Sequence, residues 1–223
     1  KAREVINQSE KPMIICGGTG LYIKACLYDY QFSDESGTGI DIDLENYTNE
    51  ELYQQLLELD PKQSEKIHPN NRQRLLRSLT IARRSPKVQS EMIADQQHRM
   101  LYDARIIACT MPRDQLYARI NERVEKMFEA GLQKEIENLL EQGVSFQDAC
   151  MKGIGYREWE GFHEGKKSLQ EVKEEIQKHS RQFAKRQYTW FNHQMDVEWF
   201  ENNNSLERQA MLENLVHWYQ NKK

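Results

Sequence analysis

Hydrophobic positions in this chain recur with two different periods. Residues 12–16 and 105–109 are short apolar runs, bounded by glycine and by Pro112 respectively, and each predicts a buried strand. The first is followed by a Gly-Gly-Thr-Gly turn at 17–20 and by an apolar helix over 21–27. This strand–turn–helix order predicts an α/β core in which the two strands could share one sheet.

Helical spacing dominates the residues between the two strands. An acidic and polar stretch, 31–50, predicts a loop, and the apolar positions from Glu50 to about Met100 then predict helices, the first of which ends at Asp60-Pro61. The predicted architecture is a core formed by 1–32 and 103–223, with a helical insertion formed by 33–102.

Helical spacing resumes after Pro112. The stripe Leu116, Ile120, Val124 and Met127 predicts one helix, which Gly131 ends, and Gly143 ends the next. A capping box from Ser168 to Glu171 opens a long helix, and the tail holds one more short helix. The residues predicted to face inward on the long helix are Leu169, Val172, Ile176, Phe183 and Trp190.

Composition narrows the function classes. The 223 residues are 38% hydrophobic, which is enough for a sizeable core, and the net charge of −4 argues against a globally basic nucleic-acid binder. No apolar run approaches the roughly 20 residues of a membrane span. The four cysteines form no CxxC pair, so neither a zinc site nor a disulfide framework is predicted, and a reduced, cytoplasmic protein is indicated.

Positive charge is nevertheless concentrated locally. The stretch 61–89 carries eight Lys and Arg residues against the single acid Glu65, and Arg74 and Arg77 are neighbours on a helix. Such a face suits a polyanion, or it is simply solvated. On the long helix, Lys178, Arg181, Lys185 and Arg186 are interleaved with aromatic residues, which suits RNA, although we predict that Phe183 and Trp190 belong to the core.

Arginines also border the apolar stripe after Pro112. Arg119, Arg123 and Lys126 could clamp a pyrophosphate, because guanidinium binds two oxygens at once. The pattern alone favours surface ion pairs with the nearby Glu122 and Glu125.

Two glycine-containing turns are candidates for phosphate binding. The turn at 17–20 follows a predicted strand and precedes a helix, where backbone N–H groups could hold a phosphate, but such turns are often structural. The segment 161–168 is predicted to be an exposed turn that leads into the Ser168 cap. Neither matches the P-loop pattern GxxxxGK[ST].

Taken together, these segments resemble the tRNA dimethylallyltransferases (isopentenyl-tRNA transferases). Six matches appear in family order over nearly the whole chain. They are Gly-Gly-Thr-Gly-Leu-Tyr at 17–22, Asp-Pro at 60–61, Ile-His-Pro-Asn-Asn at 67–71 followed by Gln73, Arg74 and Arg77, the helix 119–127, Gly-Ile-Gly-Tyr-Arg-Glu at 153–158, and Ala-Lys-Arg-Gln at 184–187 with Thr-Trp-Phe at 189–191.

The resemblance implies an α/β fold with a P-loop-type core, a parallel sheet and a mainly helical insertion that grips the anticodon stem-loop. It implies transfer of a dimethylallyl group from dimethylallyl diphosphate to N6 of the adenosine 3′-adjacent to the anticodon in tRNA. That base is expected to flip into a channel, since its reacting atom is otherwise hidden in the stack. Mg²⁺ is expected on the diphosphate oxygens. A cytoplasmic monomer without membrane association is expected.

The resemblance also assigns roles to residues. Thr19 would lie near the target adenosine, and Arg123 would bind the diphosphate and stabilise the leaving group. The remaining expected tRNA-contacting residues are Gln73, Arg74, Arg77, Lys152, Gly153, Gly155, Tyr156, Arg157, Lys185 and Arg186.

One departure concerns catalysis. The 223 residues contain neither the family's P-loop nor the aspartate downstream of it that serves as general base. We therefore expect an N-terminal part to be missing and this chain alone to be inactive, which appreciable turnover would refute. The alternatives are a prenyltransferase acting on free adenine nucleotides, against which the Gln73–Arg77 stretch argues, and a non-catalytic RNA-binding module.

Overall fold

The computed structural model describes residues 1–30 and 41–221 of the chain. Contacts group these residues into two compact units, Lys1–Ala104 and Arg105–Lys223. The predicted division into a core (1–32 and 103–223) and an insertion (33–102) stays a prediction. Residues 31–40 of the predicted loop lie outside the described residues, and a short 3₁₀ turn, Ile42–Asn46, follows them.

The first unit is helical in its described residues. Its helices are α1 (Ala2–Gln8), α2 (Gly20–Leu27), α3 (Asn49–Leu59), α4 (Pro61–Ser64), α5 (Arg72–Arg84) and α6 (Gln89–Ala94). Helix α3 begins with a capping box formed by Thr48 and Glu51. It ends before Asp60, which is the end that the sequence predicts.

The core of this unit lies between α3 and α5. Helix α3 buries Leu52 and Leu56 against the leucines of α5, as predicted, whereas Leu59 at the end of α3 is exposed. The cluster consists of Leu44, Leu52, Leu56, Ile67, Leu75, Leu76 and Leu79. The buried carboxylate of Asp60 accepts hydrogen bonds from the N–H groups of Gln63 and Ser90, which ties α4 and α6 to this core.

The strand predicted at residues 12–16 is wrong for the described structure. The segment joins no β-ladder there, and Ile14 is 91% exposed. A strand exists only when a neighbouring strand pairs with its N–H and C=O groups, and apolar composition does not supply that neighbour.

The second unit combines two strands with helices. Its elements are β1 (Ile107–Thr110), α7 (Arg113–Glu129), α8 (Leu132–Glu141), α9 (Glu160–His163), α10 (Leu169–Gln194), β2 (Glu198–Glu201) and α11 (Ser205–Gln220), with 3₁₀ turns at Ala149–Lys152 and Arg157–Trp159. Strands β1 and β2 pair in parallel, with Ile107 opposite Glu198 and Thr110 opposite Glu201. The parallel pairing is as predicted, but the sequence did not reveal β2.

Helices α7, α8 and α10 enclose the second core. Val124, Ile136, Trp159, Val172 and Ile176 are buried in it. Gly131 follows the end of α7, as the sequence predicts, and adopts a left-handed conformation between α7 and α8.

The long helix α10 begins at Ser168 with the predicted capping box. Two of its predicted inward residues are wrong, since Leu169 and Phe183 (44% exposed) lie at the surface. Helix α11 is longer than the short helix predicted. Among the described residues, no helix has the length and apolar character needed to cross a bilayer.

Candidate functional site

A cleft in the second unit is lined by one side of α7 and the end of β1. It has a volume of about 510 Å³, and Arg119 and Arg123 stand one helical turn apart along its wall. Neither side chain forms a hydrogen bond or ion pair with any described residue. Two guanidinium groups without internal partners therefore face a space large enough for a small anion.

The third cation of this cleft is already neutralised. Lys126 donates to Glu122 at 2.5 Å, and this bond holds the pKa of Glu122 below its ordinary value and raises the pKa of Lys126. The expected surface ion pair thus forms at Lys126, whereas Arg119 and Arg123 remain available for a ligand.

The floor of the cleft is a pair of hydroxyl groups. Thr110 Oγ1 lies 2.7 Å from Tyr188 Oη, and the Tyr188 ring stacks on Trp199 with ring centroids 4.8 Å apart. Trp199 Nε1 in turn donates to Asn192 Oδ1 at 2.8 Å. Parallel strands β1 and β2 thereby fix the position of Tyr188 of α10 in the cleft that Arg119 and Arg123 also line.

A second cleft of about 370 Å³ adjoins the first and shares Thr110 and Tyr188 with it. Its other side is formed by Arg113 and Tyr117 of α7 and by Lys185 of α10. Arg113 is held by its own neighbour, since Nε donates to Tyr117 Oη at 2.9 Å. The Lys185 side chain has no partner within the described part of the chain.

Lys185 and Arg186 also line an open groove along α10. This groove has a volume of about 600 Å³, and Trp190 forms part of its wall. Arg186 lies over the ring of the exposed Phe183, with the guanidinium carbon 5.9 Å from the centroid. A basic and aromatic surface of this kind suits single-stranded RNA.

The segment Lys152–Arg157 also lies in the second unit, and it is well anchored. Gly155 has φ +102°, a conformation that favours glycine, and its carbonyl accepts a bond from the indole of the buried Trp159. Tyr156 donates to Glu135, and this bond raises the pKa of the phenol. The side chain of Lys152 is exposed and bonds Gln147, while Gly153 has an extended backbone.

The basic residues of α5, in the first unit, divide into two groups. Arg72 donates to the carbonyls of Tyr47 and Glu45, and Arg83 donates to Gln55, so these arginines hold the fold. The side chains of Gln73, Arg74 and Arg77 are exposed and form no bond with residues of the described ranges. The three residues that the resemblance assigns to tRNA are thus those that the fold leaves available.

Thr19 stands at the N-terminus of α2, in the first unit. Its carbonyl accepts bonds from Tyr22 and Ile23, whereas its hydroxyl forms no capping bond. Thr19 lines a cleft of about 460 Å³ whose other walls include Met13, Ile15 and Tyr22. Residues 17–19 of this turn are exposed, Gly20 is buried, and the surroundings of the turn are apolar.

Sequence reasoning did not single out three groups that shape these sites. In the sequence, Tyr188 is one of several aromatic residues on the long helix, Thr110 belongs to none of the motifs, and Glu158 is the last residue of the motif at 153–158. The sequence around Glu158 does not indicate that its carboxylate is buried, because its partner His179 lies 21 positions away on a different helix.

Comparison with known proteins assigns the chain to a family. A family model described as IPP transferase matches residues 1–194. The chain is 38% identical over 221 residues to a tRNA dimethylallyltransferase of Anoxybacillus flavithermus, covering 99% of this chain and 70% of that protein. The chain belongs to the IPP transferase family.

Other relatives agree with this assignment. A tRNA dimethylallyltransferase of Bacillus cytotoxicus is 41% identical over 204 residues, which is 89% of this chain and 64% of that relative. A crystal structure of tRNA delta(2)-isopentenylpyrophosphate transferase from Staphylococcus epidermidis aligns with a TM-score of 0.63 at 35% identity, covering 100% of this chain and 74% of that one. The chain thus spans only about two thirds of the length of the curated relatives.

These comparisons confirm the resemblance seen in the motifs. They also confirm the predicted α/β class with parallel strands, since the chain is similar throughout its length to the solved Staphylococcus epidermidis structure. The roles of individual residues, by contrast, depend on the geometry described above and stay predictions.

Proposed function

We propose that this chain supplies the tRNA-binding and diphosphate-binding surfaces of a tRNA dimethylallyltransferase. The enzyme would transfer the dimethylallyl group of dimethylallyl diphosphate to N6 of the adenosine 3′-adjacent to the anticodon. The observation that carries the proposal is the pair of available guanidinium groups, Arg119 and Arg123, on the wall of a cleft in a member of the IPP transferase family.

Arg123 has the properties that the leaving group requires. As the bond between the allylic carbon and the diphosphate oxygen breaks, negative charge grows on that oxygen, and a new bond forms from the carbon to N6. A guanidinium beside this oxygen stabilises the charge as it develops. The proton released from N6 would pass to the family's aspartate, which is not among these 223 residues.

The exposed basic residues of both units supply the tRNA contacts in this proposal. Arg74 and Arg77 with Gln73 would bind the stem-loop, as would Lys185 and Arg186 with the segment Lys152–Arg157. Thr19 would lie beside the target adenosine. Contacts of this type carry affinity through phosphate neutralisation, and they explain how a chain of net charge −4 binds RNA.

The described residues do not themselves provide a site for Mg²⁺. They contain no group of three or more His, Cys, Asp and Glu side chains that could hold a metal ion. The one carboxylate of the α7 cleft, Glu122, is engaged by Lys126. The cleft therefore fits an anion, and we assign no step of the reaction to a metal held by this chain.

The proposed enzyme is a cytoplasmic monomer. The four free cysteines support a reducing compartment. Light scattering would test the oligomeric state.

The test is transfer of labelled dimethylallyl groups to unmodified tRNA, using this chain joined to the N-terminal P-loop segment of a relative. Label on tRNA that disappears when the adenosine 3′ of the anticodon is changed would support the proposal. Label on free adenine nucleotides, or tRNA binding with no transfer, would contradict it. Comparison with Arg123→Ala then separates an enzyme, which loses transfer but keeps tRNA binding, from a binding module.

A further inference from the structure

One buried carboxylate, that of Glu158, stands behind the segment Gly153–Arg157. Its side chain is 1% exposed. Oε2 accepts a bond from the N–H of Gly155 at 2.8 Å, and Oε1 accepts from Arg157 Nε at 2.9 Å and lies 2.6 Å from His179 Nδ1. An ionised carboxylate only accepts, so Nδ1 of His179 carries the proton in this contact.

The pKa of Glu158 indicates that the buried carboxylate is ionised and stabilised by its hydrogen bonds. Burial acts to raise the pKa of Glu158, but the bonds from Arg157, His179 and the Gly155 N–H outweigh it, so the pKa lies below its ordinary value. A buried charge with fewer partners would be strongly unfavourable. The three bonds therefore hold a charged group and the segment in one arrangement.

The first effect of Glu158 is on the backbone of the segment. Gly155 stands at φ +102°, and both of its polar backbone groups are bound by side chains that follow it: the N–H by Glu158 and the C=O by Trp159 at 2.9 Å. Trp159 is fixed in the core by stacking on Phe128. The turn is thus fixed at two points rather than left to adopt many conformations.

The second effect is on the guanidinium of Arg157. Its side chain is 43% exposed, and Nε is its only nitrogen with a partner in the described ranges. A bond at Nε restrains the plane of the guanidinium while Nη1 and Nη2 stay available. Those two nitrogens are the pair that can bind two oxygens of one phosphate.

The third effect links the segment to α10. His179 belongs to the same helix as Lys185 and Arg186, so its contact with Glu158 sets the position of Arg157 relative to those residues. One carboxylate thereby couples two parts of the predicted RNA surface that are far apart along the chain.

We propose that Glu158 is a positioning residue for tRNA, which acts by presenting the Arg157 guanidinium to a backbone phosphate. This inference rests on the proposed function. Glu158 does not contact the RNA itself. Its removal should therefore weaken binding only for as long as Arg157 is present.

The experiment measures the affinity of this chain for an anticodon stem-loop RNA as a function of salt. Glu158→Gln keeps the size of the side chain but replaces one acceptor oxygen with an NH2 group, so it cannot accept from Arg157, His179 and the Gly155 N–H together, and it removes the charge that holds the guanidinium. We expect about fivefold to tenfold weaker binding for Glu158→Gln, and for Arg157→Ala about tenfold weaker binding with a salt slope reduced by about 1. In the Arg157→Ala background, Glu158→Gln should add less than about twofold, because the two changes remove the same contact.

The matched control is Glu137→Gln, which removes the same charge from the exposed face of α8. It reports how much the loss of any acidic charge alters RNA affinity. Circular dichroism melts of each variant separate binding from folding. If Glu158→Gln does not fold, Arg157→Lys is the test variant. Lysine keeps the positive charge, but its single ammonium group cannot bond Glu158 and also bind two phosphate oxygens in the way that the planar guanidinium can.

The outcomes separate this inference from the proposed function. The inference is supported if the wild-type chain binds RNA, the two single variants show comparable losses, and the double variant loses less than about twofold more than Arg157→Ala. Weakened binding by Arg157→Lys also supports it. A Glu158→Gln variant that binds RNA like the wild type, even with a lower melting temperature, overturns the inference and leaves the function intact. So do fully additive losses. Absence of RNA binding by the wild-type chain overturns the proposed function and this inference with it.

Discussion

Removal of the Arg123 guanidinium tests the α7 cleft most directly. The side chain has no partner within the described residues, so alanine at this position breaks no contact that holds the fold. Surface substitutions of this kind usually change the free energy of unfolding by less than about 0.5 kcal/mol. The whole effect should therefore appear in ligand binding.

The magnitude follows from the chemistry of the contact. A hydrogen bond between a guanidinium and a diphosphate oxygen is worth about 1.5–3 kcal/mol, and each 1.4 kcal/mol or so corresponds to a factor of ten in Kd. Arg119 stands one turn away and remains in the variant, and the cleft is open to solvent. We therefore expect the lower end of the range, about a tenfold increase in Kd.

Calorimetric titration with inorganic pyrophosphate and with dimethylallyl diphosphate measures this loss. Arg123→Lys keeps the charge without the planar fork and should fall between the wild type and Arg123→Ala. Arg208→Ala, on the exposed surface of α11, removes the same charge and is the control. An unchanged Kd for Arg123→Ala, or an equal increase for Arg208→Ala, would refute the assignment of the cleft.

Four further predictions concern stability and RNA binding. Gly155→Ala should lower the free energy of unfolding by about 1–2 kcal/mol in urea titrations, because alanine is strained at φ +102° although its Cβ has room beside the neighbouring side chain. Leu56→Ala should cost about 2.7–5 kcal/mol in the same assay, since Leu56 is fully buried between α3 and α5. Arg77→Ala should weaken RNA binding with an unchanged melting temperature, whereas Arg83→Ala, which loses a bond to a neighbouring glutamine, should show the larger effect on melting. Because the folded pKa of Glu158 is lowered, its stabilising contribution should be present above the unfolded pKa of about 4.3 and lost as pH falls through the folded pKa, and Glu158→Gln should remove this pH dependence of unfolding.

Local physical rules predicted the helices well. The predicted capping box at Ser168 satisfies backbone groups within four residues, so a short sequence window contains all the information it needs. The apolar stripe of α7 is similarly local, because its period is that of the helix itself.

Strand pairing is where the sequence was least informative. Residues 12–16 have the apolar composition of a strand but lack a pairing partner in the described structure, whereas residues 198–201 (Glu-Trp-Phe-Glu) begin and end with a charged residue and pair with β1. Whether a strand forms depends on a partner distant in sequence, which a single chain does not reveal.

The site shows the same division. The family motifs predict that Arg123, Arg74 and Arg77 bind ligands, and the side chains of all three form no bond with a described residue. Charge patterning could not separate them from Arg72 and Arg83, since all lie on basic helical faces. Only the contacts made across the fold distinguish an arginine that holds the structure from one that is available to a ligand.

The parallel pairing of β1 and β2 has a consequence for biosynthesis. Arg105, which precedes β1, and Glu198, the first residue of β2, bond each other and are 93 positions apart. Helix α7 can form soon after it leaves the ribosome, but the floor of its cleft needs Tyr188 and the cleft wall needs Asn202. A nascent chain therefore displays its arginines well before it can assemble an anion pocket around them. The formation of the pocket marks near-completion of this unit, and shortening the chain before β2 would remove the pocket while leaving the basic helices intact.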